Sequence, residues 1–179
     1  MRIIGGKYKG RIIHPGKNFR SRPTTDFGRE GLFNILENRI IWEETNALDL
    51  FSGSGSISFE LVSRGCKKVT AVEFEPANCR FIRETADTFG MNNLAVIRDD
   101  VFHYLSKSRE RFDLVFADPP YSMPGFEEIA IKILGADILN RGKLFILEHP
   151  KAYQFDHLPG FREMRKYGNL RFSFFGVPE

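Results

Sequence analysis

The sequence predicts an α/β fold: one mostly parallel sheet of seven strands, helices on both faces, and an antiparallel hairpin at the C-terminal end. Three observations predict it. Five short, nearly continuous apolar runs alternate with helical segments, the pattern of parallel strands buried on both faces. The last two runs are joined only by Gly168-Asn169, too short for a parallel crossover, so they pair antiparallel. The chain has 179 residues, 42% hydrophobic and 27% charged, the size and composition of one folded domain.

The elements follow in order. Residues 1–25 read as a short ribbon: RII and RIIHP are β-branched runs, and Gly5-Gly6, Gly10 and Pro15-Gly16 are turn formers. From Asp26 to Ile41 the apolar residues Phe27, Leu32, Phe33, Ile35, Leu36 and Ile40 give a helical face, capped by Thr25 or Asp26. Strands are expected at 47–51, 69–74, 94–98, 112–117 and 143–148, with helices at 56–64, 76–89, 101–108 and 126–134 between them. The helix at 76–89 is the best punctuated, with Pro76 in its first turn and Gly90 where a left-handed cap is wanted. The hairpin takes 161–167 and 170–175. Repeats, low-complexity stretches and linkers are absent, so the chain divides into an N-terminal arm, 1–25, and a single domain, 26–179.

Composition excludes several classes of function. No apolar run approaches the ~20 residues of a membrane helix, and the first residues carry charge among glycines rather than a secretory signal, so a cytoplasmic protein is expected. Cys66 and Cys79 have no CxxC spacing, and His14, His103, His149 and His157 are scattered, which argues against a disulfide framework and a structural metal. Charge is uneven. Residues 1–30 hold Arg2, Lys7, Lys9, Arg11, Lys17, Arg20, Arg22 and Arg29 against Asp26 and Glu30, on a chain whose net charge is only +3. A basic end on a slightly acidic body suits an arm that touches a polyanion, and Lys7, Lys9, Arg11, Lys17, Arg20 and Arg22 are the candidate phosphate contacts.

Chemistry collects at the ends of the predicted strands. The first runs into Asp49-Leu50-Phe51-Ser52-Gly53-Ser54-Gly55-Ser56, a glycine turn that brings bare backbone N–H groups to a ligand at a helix start. Ser58 stands where a dinucleotide fingerprint has its third glycine or alanine. Glu73 closes the second strand, where a carboxylate accepts both hydroxyls of a ribose; NAD and S-adenosylmethionine both carry one. Asp99-Asp100 follows the third strand, within reach of an adenine amino group. After the fourth comes Asp118-Pro119-Pro120-Tyr121. Its two prolines remove backbone donors and force an extended path, leaving an acid beside free carbonyls that suits the two hydrogens of an exocyclic amine. Tyr121 adds a face for a planar base. A dehydrogenase has no use for such a clamp.

Together these residues resemble class I S-adenosylmethionine-dependent methyltransferases that act on exocyclic amines, a single Rossmann-like domain. MRIIGGKYKGR, RPTTD, REGLFN, LDLFSGSG, SRG, VTAVE and FADPPY follow in the order of the bacterial small-subunit ribosomal RNA guanine-N2 methyltransferases, the RsmD-type family. That resemblance implies roles by position. Asp49, Phe51, Ser52, Gly53 and Gly55 match the motif at the methionine portion of the cofactor, Glu73 the ribose acid, and Phe74 the residue beside the adenine. Asp100 and Val101 match the adenine-edge motif, Asp100 better than Asp99. Asp118, Pro119, Pro120 and Tyr121 match the target-amine motif, and Arg22, Thr24 and Thr25 a segment over the cofactor pocket. Gly31 departs from the family's usual threonine.

The resemblance implies S-adenosylmethionine as cofactor, no metal, ribosomal RNA or the assembling small subunit as partner, and a monomer that does not engage membranes. The competing readings are adenine-N6 methylation of DNA or RNA, since the clamp serves either amine, and a non-enzymatic RNA-binding module on an inherited fold.

Overall fold

A computed structural model describes residues 1–15 and 25–176. Seven strands form one sheet in the order β3-β2-β1-β4-β5-β7-β6. They are β1 (Asn46–Leu50), β2 (Lys68–Glu73), β3 (Leu94–Arg98), β4 (Phe112–Ala117), β5 (Leu139–Pro150), β6 (Phe161–Tyr167) and β7 (Leu170–Gly176). The first five pair in parallel, and β7 enters antiparallel between β5 and β6. The hairpin therefore inserts its second strand beside β5, as its short connection requires.

Alternation along the strands sorts the core into two layers. Ala47, Val69, Leu114, Phe116, Leu144, Ile146, Phe172 and Phe174 pack under α1 (Asp26–Leu36), α2 (Ser56–Arg64) and α3 (Pro76–Phe89). Leu48, Leu50, Val72, Val115, Ala117, Phe145, Leu147 and Phe175 pack under α4 (Val101–Lys107) and α5 (Phe126–Gly135). Pro76 opens α3 and Gly90 closes it in a left-handed conformation at φ 66°. Among the described residues both cysteines are free and buried, and no helix is long and apolar enough to cross a membrane.

Beyond shifts of one or two residues at element ends, three features differ from expectation. α1 stops at Leu36 rather than running to Ile41, because the chain turns to lay Trp42 against Phe33, ring centroids 6.1 Å apart, and leaves Ile41 63% exposed. β5 begins four residues early, with a register shift that pairs Phe112 with Leu139 but Leu114 with Leu144; the polar residues in that irregular stretch hide it from a search for apolar runs. At the N-terminus the expected ribbon has one bridge, Arg2 to Ile12, and lies down on α2. Ile3, Tyr8 and Ile13 are buried. The Glu60 carboxylate on α2 accepts the backbone N–H groups of Ile4 and Gly5, each at 2.8 Å, and Ser63 accepts from Lys7 and Tyr8.

Candidate active site

In a parallel sheet, ligands bind beyond the carboxyl ends of the strands, where the strand order reverses. Here that point lies between β1 and β4. Asp49 is the fourth residue of β1, 1% exposed and on the α1–α3 side of the sheet by alternation with Ala47. Ser58, in the first turn of α2, donates its hydroxyl to Asp49 Oδ2 at 2.5 Å. That is the use of a serine where a dinucleotide site would have glycine. Burial raises the Asp49 carboxyl to about 7, opposed by Ser58 and reinforced by the charge of Glu73.

The turn after β1 is held from both sides. Ser52 donates to the carbonyls of Asp49 and Val72 at 2.7 and 3.2 Å, tying β1 to β2. Phe51 takes a positive φ of 59°, uncommon for a bulky residue. Gly55 has φ 76°, and a Cβ there would lie 2.9 Å from Ile82 Cγ1, so its glycine serves the packing of α2 on α3. The Gly53 N–H donates to Glu73 Oε2 at 2.7 Å, and the Glu75 N–H donates to Oε1 at 2.8 Å. Two backbone donors thus fix the Glu73 carboxylate at the rim of the turn. Beside it, Phe74 leaves its ring 62% exposed.

Asp100 also has a structural task. Its Oδ1 caps α4, accepting the N–H groups of Phe102 and His103 at 2.9 and 3.0 Å, and Val101 behind it is buried. Asp99 pairs with His103 Nδ1 at 2.7 Å. Thr25 accepts the Gly28 N–H at 3.1 Å as the cap of α1.

Asp118-Pro119-Pro120-Tyr121 leaves β4 at the switch point, its Asp118 N–H directed at Leu50 O, 3.4 Å away. The Asp118 carboxyl is held well above the usual carboxylate range by burial, then by the negative charges of Glu148 and Asp49. Tyr121 is 42% exposed, its ring edge-on to Phe126 and its hydroxyl 3.4 Å from Glu148 Oε1. Glu148, 3% exposed near the end of β5, is a site residue that sequence reasoning missed. One signal pointed to it: the apolar runs of β2, β4 and β5 each give way to an acid, Glu73, Asp118 and Glu148.

Asp49, Ser52, Gly53, Glu73, Phe74, Asp118, Tyr121 and Glu148 thus come together along one edge of the sheet. Of the basic residues expected to contact phosphate, the described ones, Lys7, Lys9 and Arg11, are not among them. All three are exposed; the Lys7 N–H donates to Ser63 O near the end of α2, a helix about 13 Å long that starts at the turn, and Tyr8 Oη reaches Gly90 O at 3.4 Å. Lys17, Arg20, Arg22 and Thr24 lie outside the described residues. A groove of about 670 Å³ between α1 and β6, lined by Phe27, Gly31, Ile35, Arg39 and Tyr167, contains none of the expected site residues.

A carboxylate fixed at a glycine turn, an open aromatic ring beside it and buried acids at the switch point suit a cationic ligand with a ribose and a flat base. Strand order and site together define a Rossmann-like methyltransferase fold with Asp118-Pro119-Pro120-Tyr121 at its switch point. The family model described as "Conserved hypothetical protein 95" matches residues 1–176. "Ribosomal RNA small subunit methyltransferase D" of Buchnera aphidicola is 31% identical over 148 residues, 83% of this chain and 75% of that protein. The chain belongs to this RsmD-like methyltransferase family. The solved structure "Putative methyltransferase yhhF" from Escherichia coli superposes with a TM-score of 0.85 at 26% identity, over 100% of this chain and 99% of that one. The structure of SMU.776 complexed with SAH shares the fold, with a TM-score of 0.67 at 16% identity over 83% of this chain and 49% of that one.

Proposed function

We propose that this protein transfers a methyl group from S-adenosylmethionine to the exocyclic N2 amine of a guanine in small-subunit ribosomal RNA. The observation that carries the reading is the position of Asp118-Pro119-Pro120-Tyr121 at the switch point, with Asp49 behind it and the Glu73 turn beside it. Glu73 would hold the ribose hydroxyls, Phe74 would lie against the adenine, and Asp49 would face the cationic methionine portion. When bound, S-adenosylmethionine supplies an electrophilic methyl next to a positively charged sulfur.

The chain's own residues do the rest. Asp118 and the Pro119 carbonyl accept the two amine hydrogens, which fixes the nitrogen and favours its pyramidal, nucleophilic form. Tyr121 stacks on a base that has left its helix. As the nitrogen gains positive charge, the acids around it stabilise that charge more than they did the neutral amine, which lowers the barrier. Burial, and then the charges of Glu148 and Asp49, make Asp118 a stronger base than a solvent carboxylate, suited to accept the departing proton. The exposed Lys7, Lys9 and Arg11 supply phosphate contacts at the far end of the N-terminal segment.

Calorimetric titration tests the cofactor. The wild type is expected to bind S-adenosylmethionine and not NAD, and Glu73→Ala to bind it roughly 1.5 to 3 kcal/mol more weakly, the scale of a hydrogen bond to a charged group. Binding of NAD alone would end this reading.

A further inference from the structure

We propose that Glu148 selects guanine, by accepting the ring N1–H that lies next to the methylated amine. The inference rests on the guanine-N2 reading above and adds the residue that enforces it. Asp118 and Pro119 grip an exocyclic amine, and adenine, cytosine and guanine all present one. What differs is the ring atom beside it. Guanine has a donor there, N1–H, whereas adenine N1 and cytosine N3 are acceptors with a lone pair.

The sheet puts an acceptor at that place. The last aligned pair between β4 and β5 is Ala117 with Leu147, so Asp118 and Glu148 are the next residues outward on adjacent parallel strands. By alternation both side chains lie on the α1–α3 side, that of Phe116 and Ile146, which is also the side of Asp49. They are close enough that the Glu148 charge acts on Asp118. Tyr121, the stacking residue, has its hydroxyl 3.4 Å from Glu148 Oε1, which ties the acid to the wall where the base would lie. Accepting through a carboxyl oxygen, Glu148 rewards N1–H over a ring lone pair. A site built around a substrate N–H rejects the analogue lacking it.

2-Aminopurine separates the two contributions, since it keeps the 2-amine and replaces N1–H by a lone pair. Once the methylated position has been mapped, small-subunit RNA is assembled by ligation with guanosine or 2-aminopurine there. Methylation is then measured with wild type and with the isosteric Glu148→Gln, whose amide can donate as well as accept. The wild type is expected to prefer guanosine by roughly 10- to 100-fold in kcat/KM, and Glu148→Gln to reduce that preference to a few-fold. Unchanged calorimetric affinity for S-adenosylmethionine would show that the variant is folded. Equal slowing of both substrates, with the preference kept, would make Glu148 merely structural and overturn the proposal. So would a wild type that methylates 2-aminopurine as fast as guanosine. If no guanosine is methylated at all, the guanine-N2 reading itself fails, and this inference with it.

Discussion

Replacing Asp49 by asparagine should change how stability depends on pH, by an amount the structure fixes. Asp49 is enclosed between β1 and α2, and its carboxyl is raised from 3.8 to about 7, mainly by burial. An acid with a raised folded-state pKa binds more protons folded than unfolded, so its contribution to stability falls as pH climbs between those values. At 1.36 kcal/mol per unit, the loss from about pH 4 to about pH 8 is about 4 kcal/mol. Asparagine does not titrate, and its amide oxygen still accepts from Ser58. Urea unfolding of ligand-free protein across that range should show Asp49→Asn gaining on the wild type by about 4 kcal/mol, most of it below pH 7. Other acids titrate in both proteins and largely cancel from the difference. A gap constant within about 1 kcal/mol would refute the argument, since Asp49 would then ionise like a solvent-exposed carboxylate.

Three further outcomes follow from particular contacts. Glu60→Ala should cost about 3 kcal/mol in chemical denaturation and expose residues 1–15 to protease, because Glu60 holds two backbone N–H groups of that segment and pairs with Arg64 at 3.0 Å. Gly31→Thr, which restores the family's usual residue, should destabilise by about 1 to 3 kcal/mol, since a Cβ there would lie 2.0 Å from Tyr167 Cε1; adding Tyr167→Ala should recover most of the loss in a double-mutant cycle. Neutralising Lys7, Lys9 and Arg11 together should lower the slope of log affinity against log salt for small-subunit RNA by about 2, with cofactor affinity unchanged in calorimetry.

Much of the fold is legible because β1, β2 and β4 are buried on both faces and read as apolar runs, while Pro76 and Gly90 mark helix ends directly. The strand ends carry the site for the same reason: Asp49, Glu73 and Asp118 interrupt apolar runs where only a ligand or a hydrogen bond justifies a charge. What stays hidden depends on partners distant in sequence. Glu60 looks like a solvent-facing helix residue, yet it is fully buried because the N-terminal segment lies over it. Asp100 stands at a position expected to meet an adenine edge, and only the structure shows that its Oδ1 also caps α4. Glu148 reads as the polar end of a strand until the β4–β5 register sets it beside Asp118.

The central claim is methyl transfer to a guanine amine, and mass spectrometry of small-subunit ribosomal RNA nucleosides tests it most directly. Small subunits from cells lacking the protein are incubated with the purified protein and S-adenosylmethionine, then digested and compared with untreated subunits. The account predicts that N2-methylguanosine rises by up to one residue per subunit with the wild type, and that Asp118→Ala, folded and able to bind the cofactor, leaves it at the untreated level. Appearance of N6-methyladenosine instead, or full methylation by Asp118→Ala, would contradict it.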